Sequence, residues 1–243
     1  MTATRNRRPP LELRWDKRRP LPARWVVREG APALPAPAVG AGFDFTAAIR
    51  GVCSDVAERC PELAHVEMSR VLVTFTPSRN RSRYGLQARV TPLRFRAGRL
   101  TRVHGATEYQ VQRFFVDGRE MLYVLTFCLP RFLDQSFREK LITVFHELYH
   151  IGPAFDGDLR RHPGRCALHS RSKEGYDARM GTLADEYLCN HSDPDVFRFL
   201  RSGYRDLWSA HGGVSGVVVP RPKLLPVGVA SAHAARRSED GDE

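Results

Sequence analysis

Apolar residues recur at every third or fourth position in two separate stretches of the chain, and this spacing predicts a helix in each. The first helix is predicted over 45–60 and follows Asp44, whose carboxylate is suited to cap a helix N-terminus. The second is predicted over 136–152, where Ser136 and Glu139 have the S-x-x-E spacing of a capping box. Gly152 followed by proline ends this helix, because neither residue favours its continuation.

Four stretches rich in β-branched and apolar residues lie between these helices and are predicted to be strands: 66–76, 85–95, 108–116 and 120–127. Pro92 places the second strand at a sheet edge or a bulge, since proline cannot donate a ladder hydrogen bond. Asp117 and Gly118 join the last two strands and are typical of a type I′ hairpin turn. The last strand contains MLYVLTF, which is almost wholly apolar and therefore expected to be central or covered on both faces.

Two further helical patterns follow at 176–188 and 196–208, the second of them opened by Asp193 and Pro194. The predicted order is a helix, three or four strands, the helix over 136–152, and two more helices. We therefore predict an α+β fold, with an antiparallel sheet of three or four strands packed on the helix over 136–152 and on flanking helices.

The two ends of the chain differ in composition from its middle, and this difference sets the predicted domain limits. Residues 1–41 combine many prolines with arginines and are predicted to be a disordered basic arm. Residues 42–211 are predicted to form the folded domain, and 212–243 a flexible tail. The arm contains Arg-Trp twice, at Trp15 and Trp25, which leaves two interpretations open. Either the arm binds nucleic acid by phosphate neutralisation and stacking, or its tryptophans fold back on the domain.

Composition is that of a soluble globular protein, since 42% of the 243 residues are hydrophobic and 27% are charged. The sequence contains no run of about eighteen apolar residues, so no transmembrane helix is predicted. No apolar segment follows the first arginines, as a secretory signal would require. The net charge of +11 favours polyanions, although genome base composition explains the excess of arginine equally well. The five cysteines include no CxxC pair, so a reducing cytoplasm is expected rather than a disulfide framework or a cysteine zinc site.

The helix predicted over 136–152 contains the sequence HELYH, which runs from His146 through Glu147 to His150. Residues four apart lie one turn from each other on the same helix face, so both imidazoles can converge on one metal ion. Zinc is commonly held in this way, and the intervening glutamate can then act as a general base. Because the neighbouring residues are apolar and burying unpartnered polar groups is costly, a metal site is favoured over a pair of core histidines.

A catalytic zinc needs a third protein ligand, and the residues after Gly152 offer several. His162, twelve residues past His150 and behind a glycine-containing loop, is the first choice, and His169 is the alternative. The remaining candidates are carboxylates: Asp156, Glu174 and Glu186. The metzincin pattern HExxHxxGxxH does not fit, because Pro153 and Asp156 stand where it requires glycine and the third histidine.

Other polar residues near the motif are candidates for supporting roles. Asp156 or Asp158 could orient a ligand imidazole by accepting its second N–H. Tyr176, Tyr149 or His169 could donate to the oxyanion that forms during acyl transfer.

HELYHI, followed by FDGDLRRHPGR and HSRSKEGYD, resembles a group of uncharacterised bacterial and phage metallopeptidases. It is more distantly similar to the SprT-like (Spartan-type) zinc metalloproteases, in which a His-Gly pair follows HExxH. His162, twelve residues past His150, lies close to the position of that histidine, but Pro163 follows it instead of glycine. The resemblance covers 122–188 and is specific only at HExxH. It implies a small zincin-like domain with a sheet edge strand that aligns a peptide, a role for MLYVLTF or its neighbour. The cysteine pattern of a zinc-ribbon extension is missing from the sequence.

These features predict a cytoplasmic zinc metallopeptidase that acts on proteins or peptides, with no membrane partner and with nucleic acid as a candidate partner of the arm. Zn²⁺ held by His146, His150 and His162 would lower the pKa of its water to about 7. Glu147 would take the water proton and pass it to the leaving amine. Two other functions fit the same motif. One is a nucleic-acid-associated binding protein with a structural zinc site, in which His162 and His169 are both ligands, and the other is a hydrolase of non-peptide amides.

Overall fold

A three-stranded sheet with helices packed on one face positions the HELYH helix in the folded chain. A computed structural model describes residues 9–26, 42–78, 85–161, 173–190 and 194–229, without the side chains of 173, 174, 176 and 177. In these ranges the structure combines helices with several small sheets, so the α+β class is confirmed.

The described ranges contain four α-helices and twelve strands. The helices are α1 (Phe45–Arg59), α2 (Phe137–Tyr149), α3 (Lys173–Asn190) and α4 (Tyr204–His211). Short 3-10 helices span Pro61–Leu63, Met68–Arg70, Arg96–Gly98 and Asp195–Arg201. The strands are β1 (Glu12–Trp15), β2 (Ala23–Trp25), β3 (Phe43–Asp44), β4 (Val71–Pro77), β5 (Ala88–Pro92), β6 (Thr101–His104), β7 (Thr107–Val111), β8 (Arg113–Val116), β9 (Arg119–Met121), β10 (Tyr123–Leu129), β11 (Val214–Val217) and β12 (Leu224–Val229).

The strands form four three-stranded sheets, with the orders β4-β10-β5, β1-β8-β9, β2-β11-β3 and β12-β7-β6. In the first, which we call the central sheet, β10 pairs antiparallel with β5 but parallel with β4. The prediction of an antiparallel sheet is therefore wrong for one of its two pairings. The long connection from β4 to β10 returns the chain to the same end of the sheet, which a hairpin cannot do.

The two faces of the central sheet have different partners. On β10, Tyr123, Leu125 and Phe127 belong to the main core, which also contains the buried apolar residues of α1 and α2. The alternate residue Val124 belongs to a smaller cluster with Trp15 and residues of β8 and β9. Since successive side chains of a strand point to opposite faces, α1 and α2 cover one face and the sheet β1-β8-β9 lies toward the other. MLYVLTF is central and covered on both faces, as predicted.

Local signals in the sequence place the ends of α1 and α2 correctly. The Asp44 carboxylate accepts a hydrogen bond from the Ala47 N–H at 3.0 Å and caps α1. At α2, the Ser136 N–H donates to the Glu139 carboxylate at 2.8 Å, and the Ser136 hydroxyl accepts from the Glu139 N–H at 3.3 Å. Both predicted caps, including the capping box, are confirmed.

The hairpin signal is confirmed, whereas one predicted helix is divided. Asp117 and Gly118 have φ angles of 49° and 78° and connect β8 to β9, as a type I′ turn requires. The predicted helix over 196–208 is instead the 3-10 helix Asp195–Arg201 followed by α4. Gly203 separates them in an extended conformation, and its N–H donates to the Asp206 carboxylate at 3.0 Å.

The described parts of both chain ends are strands of the domain, not a disordered arm or a flexible tail. β1 pairs with β8, and β2 pairs with β11, which itself comes from the predicted tail. Trp15 is buried at 5% exposure with its ring centroid 5.3 Å from that of Phe114. Trp25 is half-buried, and its ring lies tilted with its centroid 6.1 Å from that of Trp208. Contacts of these large rings with the domain compensate for the low apolar content of the segment. For residues 9–26 the structure favours the second interpretation of the Arg-Trp pairs, that the tryptophans fold back.

Among the described residues, none of the helices has the length and apolar composition of a membrane span.

Lys140 is a buried cation that joins α2 to the segment before α4. Its ammonium group donates to the carbonyls of Leu200 at 2.8 Å and Ser202 at 2.7 Å, and only 2% of the residue is exposed. Burial lowers the pKa of Lys140 from 10.5 to about 8, and the charges of Asp134 and Asp206 act in the opposite direction.

We expect the free energy of unfolding to rise between pH 8 and 10.5 in the wild type relative to a Lys140→Met variant. In that window the unfolded chain keeps a proton on Lys140 that the folded chain has released, so increasing pH favours the folded state. Below about pH 8 both states are protonated, and the Lys140 contribution is constant. Urea unfolding of both proteins at several pH values measures the difference. A difference that is flat or falls across this window would contradict the assignment.

Candidate metal centre

His146 and His150 lie in the last turn and at the C-terminal cap of α2, on the side of the helix away from its apolar stripe. Their ring centroids are 4.6 Å apart with an interplanar angle of 79°, and both residues are partly exposed. The stripe predicted from the sequence is buried in the main core, with Val144 and Phe145 fully inaccessible. The sequence thus folds so that the core fixes α2 while the two imidazoles remain near the surface.

Glu147 points in another direction and is buried, with 8% of the residue exposed. The Val90 N–H of β5 donates to its Oε2 at 2.7 Å, which is the short distance expected of a charge-assisted bond. Burial raises the pKa of Glu147 to about 7, and the Val90 hydrogen bond and the Arg89 charge only partly offset this effect. The carboxylate therefore lies between the end of α2 and the central sheet.

After α2 the chain turns and comes back beside the second histidine. Ile151 and Leu159 form an antiparallel bridge, and the Arg160 N–H donates to the His150 carbonyl at 2.7 Å. Gly152 is required at the start of this loop, because a Cβ there would lie 2.9 Å from the Asp158 carbonyl oxygen. The described segment ends at 161, one residue before His162.

Arg160 anchors the returning segment of the chain to the end of α2. Its guanidinium lies 4.0 Å from the centroid of the Tyr149 ring, and its Nε donates to the Tyr149 carbonyl at 2.8 Å. Tyr149 itself is buried at 6% exposure. Arg160 thus fixes the backbone on both sides of His150.

The loop between Gly152 and Leu159 is held by contacts that the sequence did not predict. The Tyr123 hydroxyl accepts from the Gly157 N–H at 3.0 Å and donates to the Asp158 carbonyl at 2.8 Å. Burial raises the pKa of Tyr123 to about 12, so the hydroxyl keeps its proton. The signal available in the sequence was a tyrosine within an apolar strand, since a buried tyrosine hydroxyl needs a partner.

The two aspartates predicted to orient a ligand make hydrogen bonds within the loop. Asp156 accepts from the Asp158 N–H at 3.0 Å. The Asp158 carboxylate accepts from the Ala97 N–H at 3.1 Å and pairs with Arg161 at 3.1 Å. These bonds stabilise the turn that returns the chain to His150, and orientation of a ligand by either aspartate stays a prediction.

His65 is a further residue near the site that the sequence did not indicate. Its Nε2 lies 3.3 Å from the Ile151 carbonyl, next to the HELYH sequence, and burial lowers its pKa. Because this contact joins residues 86 positions apart, the local sequence carries no sign of it.

Several candidate ligands fall outside the described residues. His162 and His169 are among them, as are the side chains of Glu174 and Tyr176. Within the described part of the chain, no three histidine, cysteine, aspartate or glutamate side chains are grouped to hold a metal. Asp156 and Glu186, which are described, therefore do not complete a set of three with the histidine pair. Glu186 instead lines a pocket between the end of α1 and α3.

Comparisons of the chain with protein-family models, curated proteins and solved structures found no match in any of the three. The chemistry of the site is therefore argued from its own residues.

Proposed function

We propose that the protein is a zinc-dependent metallopeptidase in which His146, His150 and His162 hold the metal and Glu147 is the general base. One observation carries the proposal: two partly exposed imidazoles lie 4.6 Å apart at the end of α2, with a buried carboxylate on the residue next to the first. Imidazole pairs of this spacing with an intervening glutamate are suited to metal-assisted hydrolysis.

The described donors fit a zinc ion. Imidazole nitrogens are among the ligands that zinc prefers, and partial exposure of both rings would let a substrate reach a metal held there. When bound, Zn²⁺ supplies Lewis acidity that lowers the pKa of a coordinated water and polarises the scissile carbonyl.

His162 is the preferred third ligand because of the path of the chain before it. The hydrogen bond from Arg160 to the His150 carbonyl brings the chain back to the histidine pair two residues before His162. Two residues of extended chain span at most about 7 Å, so this return of the chain supports His162 as the third ligand, although His162 itself lies outside the described residues. His169 is seven residues further along and has no such constraint from the described residues.

Glu147 is proposed to take a proton from the attacking water and to deliver it to the leaving amine nitrogen. The Val90 N–H holds Oε2 at 2.7 Å, and Oε1 would then be the oxygen that carries the proton. A backbone donor on a strand is a rigid support, so the carboxylate would keep its position through both proton transfers.

β5 is proposed to align the peptide substrate. β10 occupies the centre of the central sheet, so the edge strand that the SprT-like resemblance implies would be its neighbour and not MLYVLTF itself. The Val90 N–H points away from β10 toward Glu147, which places this edge of β5 beside the candidate base. An extended peptide could use the remaining backbone groups of that edge, in the manner of strand addition.

Removal and replacement of the metal tests the proposal directly. We expect the purified protein to cleave members of a peptide library, to lose this activity after treatment with a chelator, and to regain it when Zn²⁺ is returned. Mass spectrometry of the products identifies the bonds cleaved, and circular dichroism of the chelated protein shows whether the fold persists. Cleavage that survives chelation, or its absence from a folded zinc-loaded protein, would overturn the proposal.

A further inference from the structure

A cavity of about 600 Å³ lies on the face of the central sheet opposite α2. Residues of all three central strands form its floor, and 218–222 covers it from the C-terminal part of the chain. The Thr74 hydroxyl donates to the Val217 carbonyl at 2.8 Å, which fixes the covering segment to the floor. Pockets that bind small molecules have volumes of this order, roughly 300–1,000 Å³.

Strand register places polar side chains in a row across the floor. Thr126 of β10 is paired with Thr74 of β4 on one side and with Arg89 of β5 on the other. Directly paired residues point to the same face of a sheet, so two hydroxyls and a guanidinium follow one another. Thr76 and Thr91 also line the cavity. The single O–H of Thr74 already donates to the Val217 carbonyl, so the threonine hydroxyls that could donate to a ligand here are those of Thr126, Thr76 and Thr91.

The charged side chains of the cavity lining, in the part of the chain that the structure describes, are all cationic. They are Arg89, Arg131 and Arg221, and no aspartate or glutamate of the described ranges lies among the lining residues. Arg131 packs over Gly85 and donates to the Leu86 carbonyl at 2.8 Å, which holds its guanidinium at the rim. Cationic side chains gathered at a concave site raise the local concentration of anions.

Within the described residues, two buried polar atoms of the cavity lining have no hydrogen-bond partner. They are Nε of Arg89 and Oγ of Ser78, both inaccessible to solvent. Leaving a buried donor unsatisfied is costly, and more so for a charged group. Unsatisfied donors in a folded protein therefore call for an explanation, and a bound acceptor supplies one.

We propose that this cavity binds the phosphate group of a small phosphorylated molecule, with Arg89 as its principal contact. A phosphate group presents several acceptor oxygens in different directions, which matches guanidinium and hydroxyl donors on more than one wall. A carboxylate would be satisfied by a single arginine fork and would leave the hydroxyls unused. The volume leaves room for the body of the molecule beside its phosphate. This site is separate from the candidate metal centre, because it lies on the other face of the central sheet.

Isothermal titration calorimetry with inorganic phosphate, adenosine 5′-monophosphate and acetate tests the proposal. We expect both phosphate compounds to bind the full-length wild type and acetate not to bind. Arg89→Gln should weaken phosphate binding by at least about tenfold, the loss expected for one charge-assisted contact. Ser78→Ala should weaken it less, because it removes one neutral donor. Arg119→Gln is the matched control, since Arg119 is an exposed residue at the start of β9 and its replacement removes the same charge.

Thermal unfolding without ligand separates a binding role from a structural one. The comparison is made at about pH 5.5, where Glu147, with its pKa of about 7, is mostly neutral and is little affected by the Arg89 charge. If Arg89 serves the ligand, Arg89→Gln removes an unsatisfied buried donor and should unfold there at the wild-type temperature or above. Phosphate should then stabilise the wild type and Arg119→Gln but not Arg89→Gln. A variant that unfolds earlier without ligand would make Arg89 structural and overturn the proposal. Absence of phosphate binding at millimolar concentration, equal binding of acetate, or equal weakening by Arg119→Gln would also overturn it.

Discussion

Glu147→Gln is expected to lower kcat for peptide hydrolysis by about 10²- to 10⁴-fold while leaving the zinc content unchanged. The amide has nearly the same shape as the carboxylate, and its oxygen can still accept the hydrogen bond from the Val90 N–H. In the wild type this bond is 2.7 Å long. What the amide cannot do is take a proton from water. Because the buried carboxylate is replaced by a neutral group, the free energy of unfolding should not fall.

Glu58→Gln is the matched control for this experiment. Glu58 is an exposed residue of α1, so its replacement changes the net charge by the same amount without entering the site. Initial rates, zinc content and urea unfolding are measured on both variants and on the wild type. Full activity of Glu147→Gln would contradict the proposed mechanism. Loss of zinc together with activity would mean that Glu147 maintains the structure of the metal site and would not support a role in proton transfer.

Features of the chain that depend on neighbouring residues were predictable from the sequence. The caps at Asp44 and Ser136, the apolar stripe of α2 and the turn at Asp117-Gly118 each involve residues within one turn of each other. Their physical cause is local hydrogen bonding and spacing, which is written in a few consecutive positions. Those predictions are confirmed for that reason.

Pairings between distant segments were not predictable. β1 pairs with β8 from Glu12 to Arg113 onward, and the parallel pairing of β4 with β10, which begins at Val71 and Tyr123, crosses about half that separation. A proline-rich segment lacks the signal of a strand, yet Trp15 is buried against β8 because the ring fits there. Such contacts depend on complementarity in three dimensions, which one-dimensional patterns do not contain.

The candidate site also combines features that the sequence predicts with features that it does not predict. HELYH was recognisable because its geometry follows from four-residue spacing on one helix. Two supporting contacts could not be recognised in the sequence: the hydrogen bond from the Val90 N–H to Glu147 and the bonds of the Tyr123 hydroxyl to the returning loop. Each joins segments more than thirty residues apart. A sequence can therefore identify the groups that react, while the groups that position them come from the folded structure.

His162→Ala is expected to lower the zinc content from about one per chain to a small fraction of that, and His169→Ala is expected to retain it. The hydrogen bond from the Arg160 N–H to the His150 carbonyl returns the chain to the pair two residues before His162. Elemental analysis of the dialysed proteins measures zinc, and circular dichroism verifies that each variant is folded. His104→Ala is the matched control, because His104 is an exposed residue of β6.

The pattern of loss distinguishes the two classes of zinc site. Loss of zinc from His162→Ala alone would mean that the wild-type site has three protein ligands and a fourth position for water, as hydrolysis requires. Loss of zinc from both variants would indicate a closed site with four protein ligands. That result would contradict the proposed metallopeptidase function and support a nucleic-acid-associated protein with a structural zinc site. Loss in His169→Ala alone would keep the hydrolase and move the third ligand, so that the return of the chain at Arg160 would serve only to hold His150 in place.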